Sequence, residues 1–445
     1  MLDIAEIREL IRANGVKTVI LAGTDPVGVQ RGKRLTVPYF LKCYEDGINF
    51  SSYIMSTTTM DEVLPGLFDT GVPDVRGIAD LNTFRLAPWE PDTAICVIDW
   101  HYPDGRPHPL CPRGELKRQV ARVRALGYEE LFSLELEFYL FPIEIGTIRR
   151  GAWADIEPGQ KDIHCYSIVE GYHWESVMSR IRECFSDAIE GTMPEWGPGQ
   201  FEINLHRSDA LSMADTATHF KTAVKQIAAQ AGLSATFMAK WHEAHSGSSG
   251  HIHQSFKHSA TGLSAFYDAT RPWNMSPLFE SYTAGQLEMF RPLMPFFAPN
   301  QNSYKRFQPE SFAGTTKTWG VDNRMATFRV INSSPSHCRL ENRIGGADVH
   351  PYLAFSASIG AGLWGIGRDL RLPPPGTGNC YQTPGVQTAP RSLEESVQEL
   401  AASPAAREAV APAIIDNTVR IALYEADVFK SRVCDLERRR YFEMV

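Results

Sequence analysis

The chain has 445 residues, 43% of them hydrophobic and 22% charged, a balance ordinary for a soluble globular protein and long enough for two domains. A formal net charge of −8 with no basic block gives no footprint for nucleic acid, although an anionic nucleotide needs only a local cluster of arginine and metal. The eight cysteines, at positions 43, 96, 111, 165, 184, 338, 380 and 434, include no CxxC pair, which argues against a zinc ribbon or a disulfide framework and for reduced thiols in a cytoplasmic protein.

In "MLDIAEIRELIRANG", Ile4, Ile7 and Ile11 recur at helical spacing with charges between them. This predicts an amphipathic helix ending near Gly15, not a signal peptide. "KTVILAG" and "TAICVIDW" read as short strands separated by turns. Residues 104–114, "DGRPHPLCPRG", are crowded with Pro and Gly and predict a boundary between units 1–104 and 105–445. The helical "ELKRQVARVRALG" follows, and then the strand-like "SLELEFYLF". Further on, a long helix is expected around "ADTATHFKTAVKQIAAQAG". "YLAFSASIGAGLWGIG" reads as a buried helix, too short and too rich in small residues to span a membrane. "LPPPGTGNCYQTPGVQTAP" is a long loop before a helical C-terminus, and no internal repeat or low-complexity tract is present.

The strand "SLELEFYLF" carries Glu135 and Glu137 two residues apart, on the face opposite Leu134, Leu136 and Phe138. Two carboxylates side by side on a half-buried strand repel each other and lose hydration, unless that face is wet or a cation sits between them. The pattern recurs. In "GPGQFEINL", Gln200, Glu202 and Asn204 share a face, with Glu195 just upstream. His251 and His253 are two apart in "GHIHQSF". Arg339, Glu341 and Arg343 line one side of "CRLENRI", and Arg324 and Arg329 flank "NRMATFRV". A solvent-facing strand also alternates polar with apolar, but usually with Thr, Lys, Ser and Gln. Here the polar positions are almost entirely Glu, His and Arg. If these faces converge, the carboxylates with one imidazole suit a hard divalent cation such as Mg²⁺ or Mn²⁺ better than zinc. The arginines suit a phosphate or a substrate carboxylate, and the combination suits phosphoryl transfer without a P-loop.

These motifs, "SLELEFYLF", "EWGPGQFEINL", "GSSGHIHQSF", "NSYKRF", "NRMATFRV" and "RLENRIGGADVHPYL", come in order over nearly the whole chain, which resembles the glutamine synthetase superfamily. The resemblance implies an α+β fold, with an N-terminal β-grasp domain and a larger catalytic domain whose antiparallel sheet lines the site. It also implies a homo-oligomeric ring, commonly a dodecamer, with sites between subunits. Carried over by motif, one metal would be held by Glu137, Glu195 and Glu202, and a second by Glu135, His251 and Glu341. Glutamate would be bound through Gly247, Arg306 and Arg343, while His253, Arg329 and Arg339 would contact ATP. Arg324 would stabilise the transferred phosphoryl group before an amine attacks the acyl phosphate.

The departures from the family bear on the amine. The aspartate of the family's ammonium site aligns with Ser51, and the flap carboxylate aligns with Phe312, although Glu310 lies two residues away. Selecting ammonium requires negative charge and a base, which serine and phenylalanine do not provide. The resemblance therefore implies a glutamate–amine ligase acting on an aniline or another bulky hydrophobic amine in amine breakdown. Its alternatives are an ammonia-using enzyme in which Glu310 fills the flap role and a non-catalytic relative. The family's asparagine before the glutamate-binding glycine is Ser246 here, and a lysine near the nucleotide is Ser336. Tyr381 stands where some bacterial relatives are adenylylated, but "GNCYQTPG" differs from that context and predicts no such regulation.

Overall fold

The computed structural model describes every residue except Met1, Ala152, Ala154 and Asp155. It is an α+β protein built around two sheets. The first has six strands, β1 (Thr18–Thr24), β2 (Gln30–Thr36), β3 (Ile48–Ser51), β4 (Asp74–Ala79), β5 (Arg85–Leu86) and β6 (Thr93–His101). Its main order is β2-β1-β6-β4-β3, with β1 and β6 parallel, as in the expected β-grasp domain. The predicted first helix is Ile4–Ala13. It starts at Asp3, whose side chain caps Glu6 N while Glu6 reaches back to the Asp3 amide, and it buries Ile7 and Ile11.

The second sheet has eight strands, β7 (Tyr128–Phe141), β8 (Ile189–Pro194), β9 (Gln200–Leu205), β10 (Ser234–Thr236), β11 (Gly250–His258), β12 (Trp319–Val321), β13 (Phe328–Ile331) and β14 (Arg339–Asn342). Its main order is β12-β13-β14-β11-β7-β9-β8, and every pair except β12–β13 is antiparallel. Leu134, Leu136 and Phe138 are completely buried and join Phe201, Ile203 and Phe220 in one apolar core beneath the sheet. Phe220 comes from the helix Ala210–Gln230, which opens on an Asp209 cap and turns a stripe of alanines with Val224 and Ile227 onto that core. The opposite face of the sheet is left to the charged residues.

The apolar stretch near residue 355 forms the helix Pro351–Ile366, buried along nearly its whole length. Its glycines permit close packing against the helix Pro277–Glu288: a Cβ on Gly365 would lie 2.2 Å from the Ser281 carbonyl oxygen. Among the described residues no helix is long and apolar enough to cross a membrane. All the cysteines are free.

A buried arginine ties the two sheets together. Arg113, at the start of the helix Pro112–Ala125, makes a two-pronged contact with Asp215 at 2.8 and 2.9 Å. Its remaining nitrogen reaches Asp80 at 2.9 Å and Asp99 at 3.1 Å, both belonging to the N-terminal sheet region. Burial works against the guanidinium's charge, but the flanking carboxylates hold it firmly protonated. Nothing in the local sequence around Arg113 announced this cluster.

Candidate active site

Strand register brings the charged positions together. Glu137 of β7 stands opposite Glu202 of β9, and Glu135 stands opposite both Asn204 of β9 and His251 of β11. On the far side of β11, His253 faces Glu341 of β14, and Glu341 in turn faces Arg329 of β13. Glu195 enters from the turn just after β8. Segments up to 206 residues apart in the chain thus place their acidic groups on one face.

Ligand-capable atoms of Glu137, Glu195 and Glu202 all lie within 4.8 Å of one another. The second predicted set is regrouped: His251 Nδ1 is 3.2 Å from Glu135 and 3.7 Å from Glu341, but the ligand-capable atoms within 4.8 Å of one another form the sets Glu135–Glu202–His251 and Glu135–His253–Glu341. His253 joins it, with Nε2 3.0 Å from Glu135. Burial and the charge of Glu195 push the Glu137 carboxyl up to about 8. Burial and the neighbouring Glu135, Glu137 and Glu195 push Glu202 up to about 9. Glu135 and Glu341 behave oppositely. Burial opposes their charge, yet His253 and His251 hold Glu135 well below the usual carboxylate range, and Arg343 with the same histidines holds Glu341 at about 2.

Two kinds of subsite follow. The triad of Glu137, Glu195 and Glu202 is a set of oxygen donors whose mutual repulsion a divalent cation relieves. This donor set fits Mg²⁺ or Mn²⁺. The set around Glu135 adds imidazole nitrogen, and His251 Nε2 is buried without a hydrogen-bond partner. Gln200 and the Ser249 amide donate to Glu137 Oε2 at 3.0 and 2.7 Å, and Asn204 donates to Glu202 at 2.8 Å. These contacts fix the carboxylate orientations without supplying charge.

Glu135, Glu137, Glu195, Glu202 and His251 line a cavity of about 800 Å³. Gly247, Arg324, Arg329, Arg343 and Phe312 also line it. Arg324 has no carboxylate partner among the described residues, so its charge is available to an anion. His253 and Arg339 line a neighbouring cavity of about 480 Å³ that shares Glu135 and Asn204 with the first and also contains Ser336. Three predicted residues lie elsewhere. Glu341 is buried between Arg329, at 2.9 Å, and Arg343, and lines neither cavity. Arg306 sits behind the wall, buried, with its guanidinium donating to Ser249 Oγ and to the Ile344 carbonyl. Ser51 ends the edge strand β3 of the other sheet and lines neither cavity of this chain.

Sequence reasoning missed several wall residues. Trp196 follows Glu195 directly, and its ring lies 6.2 Å from that of Phe312. Tyr166, Cys165, Lys240 and His245 also line the main cavity. Trp196 and His245 were visible in "PEWGPG" and "WHEAHSG" as aromatic residues beside recognised motifs, but nothing local indicated which way they face. Tyr381 donates its hydroxyl to the Ala313 carbonyl at 2.8 Å, so its phenol is engaged within the flap.

The family model "Glutamine synthetase, catalytic domain" matches residues 109–441. The chain belongs to the glutamine synthetase family. It is 36% identical to a glutamate–isopropylamine ligase of Pseudomonas, over all of this chain and 98% of that protein. It is 36% identical to a γ-glutamylethanolamide synthetase of Streptomyces coelicolor, covering 99% of this chain and 96% of the relative. A γ-glutamylanilide synthase of Acinetobacter is 31% identical over 87% of this chain and 82% of its own length. Among solved structures, ligand-free GmaS aligns with a TM-score of 0.87 at 26% identity, covering the whole of both chains. Its ADP complex aligns with a TM-score of 0.86, covering 99% of this chain and all of that one.

Proposed function

We propose that this protein is an ATP-dependent ligase that joins the γ-carboxylate of glutamate to a primary amine other than ammonia. Its preferred substrate on this reading is an aromatic or otherwise bulky hydrophobic amine, and its place is in amine breakdown. The observation that carries the reading is the wall beside the acidic cluster, where the ring of Phe312 meets that of Trp196. An apolar wall recognises the body of an organic amine and offers nothing to ammonium.

Divalent cations held by the two carboxylate sets supply charge that neutralises phosphate oxygens. The protein's own groups do the rest. Arg324 and Arg329 present guanidinium groups to the phosphates of ATP, with His253 and Arg339 further along the neighbouring cavity. Arg343, anchored by Glu341 and by the Phe312 carbonyl at 3.2 Å, is placed to orient a glutamate carboxylate. Arg306 takes the same role only after exchanging its present bonds to Ser249 and Ile344. A γ-carboxylate oxygen of glutamate takes the γ-phosphoryl group as the bond from the γ-phosphorus to the β–γ bridging oxygen breaks, and ADP leaves. The amine nitrogen then attacks the acyl carbon, the carbon–nitrogen bond forms, the carbon–oxygen bond to phosphate breaks, and phosphate and a proton leave.

The reading includes a homo-oligomeric ring in which a neighbouring copy brings Ser51 to the amine side of the site. It keeps residues 1–104 and 105–445 as its two domains and a reduced, cytoplasmic setting. Phosphate release with glutamate, ATP and a panel of aniline, isopropylamine, ethanolamine, putrescine and ammonium tests it. Turnover with an organic amine well above that with ammonium supports it, and turnover with ammonium alone overturns it. One observation favours the ammonia reading: Glu310 also lines the cavity, and among the described residues its carboxylate is held only by Asn379, at 3.3 Å.

A further inference from the structure

Arg306 ends the short 3₁₀ turn Ser303–Arg306. Three residues make one turn of such a helix, so the side chains of Ser303 and Arg306 leave on the same face. That face meets Asp348, which stands shortly before the buried helix Pro351–Ile366. One carboxylate oxygen, Oδ2, accepts from Ser303 Oγ at 2.6 Å and from Asn300 Nδ2 at 2.9 Å. The Ser303 oxygen also accepts from the Asn300 amide at 3.0 Å and closes the turn. Asp348 therefore fixes the base from which Arg306 projects.

The other oxygen is unused. Asp348 Oδ1 is buried with no hydrogen-bond partner among the described residues, and the same holds for Arg306 Nε. The two atoms flank Gly346, where a Cβ would collide with Asp348 Oδ1 and lie 3.5 Å from Arg306 Nε. An acceptor and a donor, both shut off from water and both unpaired, thus share a space that glycine leaves open. Burying either one without a partner is costly, and the cost disappears if they meet. Burial pulls the Arg306 guanidinium down to about 10, and Glu137 and Asp348 oppose that fall. At present its terminal nitrogens donate to Ser249 Oγ at 3.2 Å and to the Ile344 carbonyl. Its stem runs directly behind Gly247, where a Cβ would collide with Arg306 Cγ, so at that point no side chain separates the arginine from the cavity that Gly247 lines.

We propose that Asp348 is a positioning residue for Arg306: when the terminal nitrogens exchange Ser249 and Ile344 for a substrate carboxylate, Arg306 Nε donates to Asp348 Oδ1. The guanidinium is then held by its inner nitrogen while both terminal nitrogens stay free for a two-pronged contact. The inference rests on the ligase reading, in which Arg306 binds glutamate, and adds the residue that aims it.

Initial rates of phosphate release, with glutamate varied at saturating ATP and amine, test it. Asp348→Asn keeps the shape and an acceptor for Ser303 and Asn300, but turns a donor toward Nε. Loss of a hydrogen bond between charged groups raises its KM for glutamate at least about tenfold. KM for ATP and for the amine stays within about twofold. Lysine has no inner N–H, so in an Arg306→Lys background Asp348→Asn weakens glutamate less than about twofold further. A carboxylate that only holds the turn together would give additive losses instead. An unchanged KM for glutamate in Asp348→Asn, or a full further loss on top of Arg306→Lys, overturns the assignment. A structure of the wild type with glutamate bound decides the matter if Asp348→Asn fails to fold. Arg306 Nε on Asp348 Oδ1 sustains the proposal, and a guanidinium still on Ser249 and Ile344 rejects it. If the wild type releases no phosphate with any amine, the ligase reading falls instead. Calorimetric titration of glutamate into wild type and Asp348→Asn then judges Asp348 separately: a weaker variant sustains its role, and equal affinities, or no binding to either, reject it.

Discussion

Phe312 and Trp196 meet at the rim of the acidic cavity with ring planes 58° apart, a tilted pair made by residues 116 positions distant in sequence. Phe312 holds a left-handed backbone at φ 59°, as does Glu310 at 57°. Such a conformation is uncommon for residues with a β-carbon, and here the flap is fixed by the Arg343 bond to the Phe312 carbonyl.

Replacing the phenylalanine reverses the chemistry of this wall. Phe312→Glu places a carboxylate on the cavity wall beside Trp196 and removes an aromatic pair worth about 1 kcal/mol. The expected outcome is a gain in ammonium-dependent phosphate release with a loss of at least about tenfold in kcat/KM for the best organic amine. Unchanged amine preference in a folded variant would show that Phe312 does not contact the amine.

The acidic triad gives a stability prediction of opposite sign with and without metal. Glu202 is held up to about 9 by burial and by its acidic neighbours, so its charge opposes folding in metal-free protein. Glu202→Gln relieves that repulsion and is expected to melt at or above the wild-type temperature in chelator. With excess Mn²⁺ the order inverts, because the variant has lost an oxygen ligand and a negative charge. Parallel melts in EDTA and in Mn²⁺ check this, and a variant that melts lower by the same amount in both conditions refutes a metal role for Glu202.

A third prediction concerns acid. His219, buried in the helix Ala210–Gln230, meets Gln30 of β2 at 2.9 Å, and burial aided by Arg85 and Arg113 lowers its pKa to about 3. His350 contacts the Asp25 carbonyl at 2.9 Å, and burial lowers it to about 4. Both stay neutral in the folded chain while the unfolded chain takes up protons near pH 6.5. Their stabilisation is complete above 6.5 and is lost as pH falls toward 4, and for His219 toward 3. Each contributes a slope of roughly 1.4 kcal/mol per pH unit in that window. His219→Gln should flatten the dependence measured by urea unfolding between pH 4.5 and 6.5. An unchanged slope would mean that His219 titrates as it does in the unfolded chain.

The alternation of Glu135 and Glu137 with Leu134, Leu136 and Phe138 was legible because side-chain direction along a strand is a local property with a period of two. The same holds for Glu202, His251 and Glu341, and for the buried helix Pro351–Ile366. Arg306 and Ser51 show the limit of such reading. A motif identifies the residue type that chemistry needs, but the direction of the Arg306 side chain depends on its bonds to Ser249 and Ile344, and the place of Ser51 on the edge of the other sheet depends on how that sheet folds.

By itself the amino-acid sequence determined the inventory: which strands are charged on one face, and which residue types could hold cations and phosphate. Only the tertiary structure decided the pairings. It set Glu137 opposite Glu202, joined His253 to Glu135, closed Arg113 onto Asp80, Asp99 and Asp215, and laid Trp196 beside Phe312. The reason is physical. Periodicity is written within a few neighbouring residues, whereas strand register and the burial of a charge depend on groups that meet only when distant segments share one core.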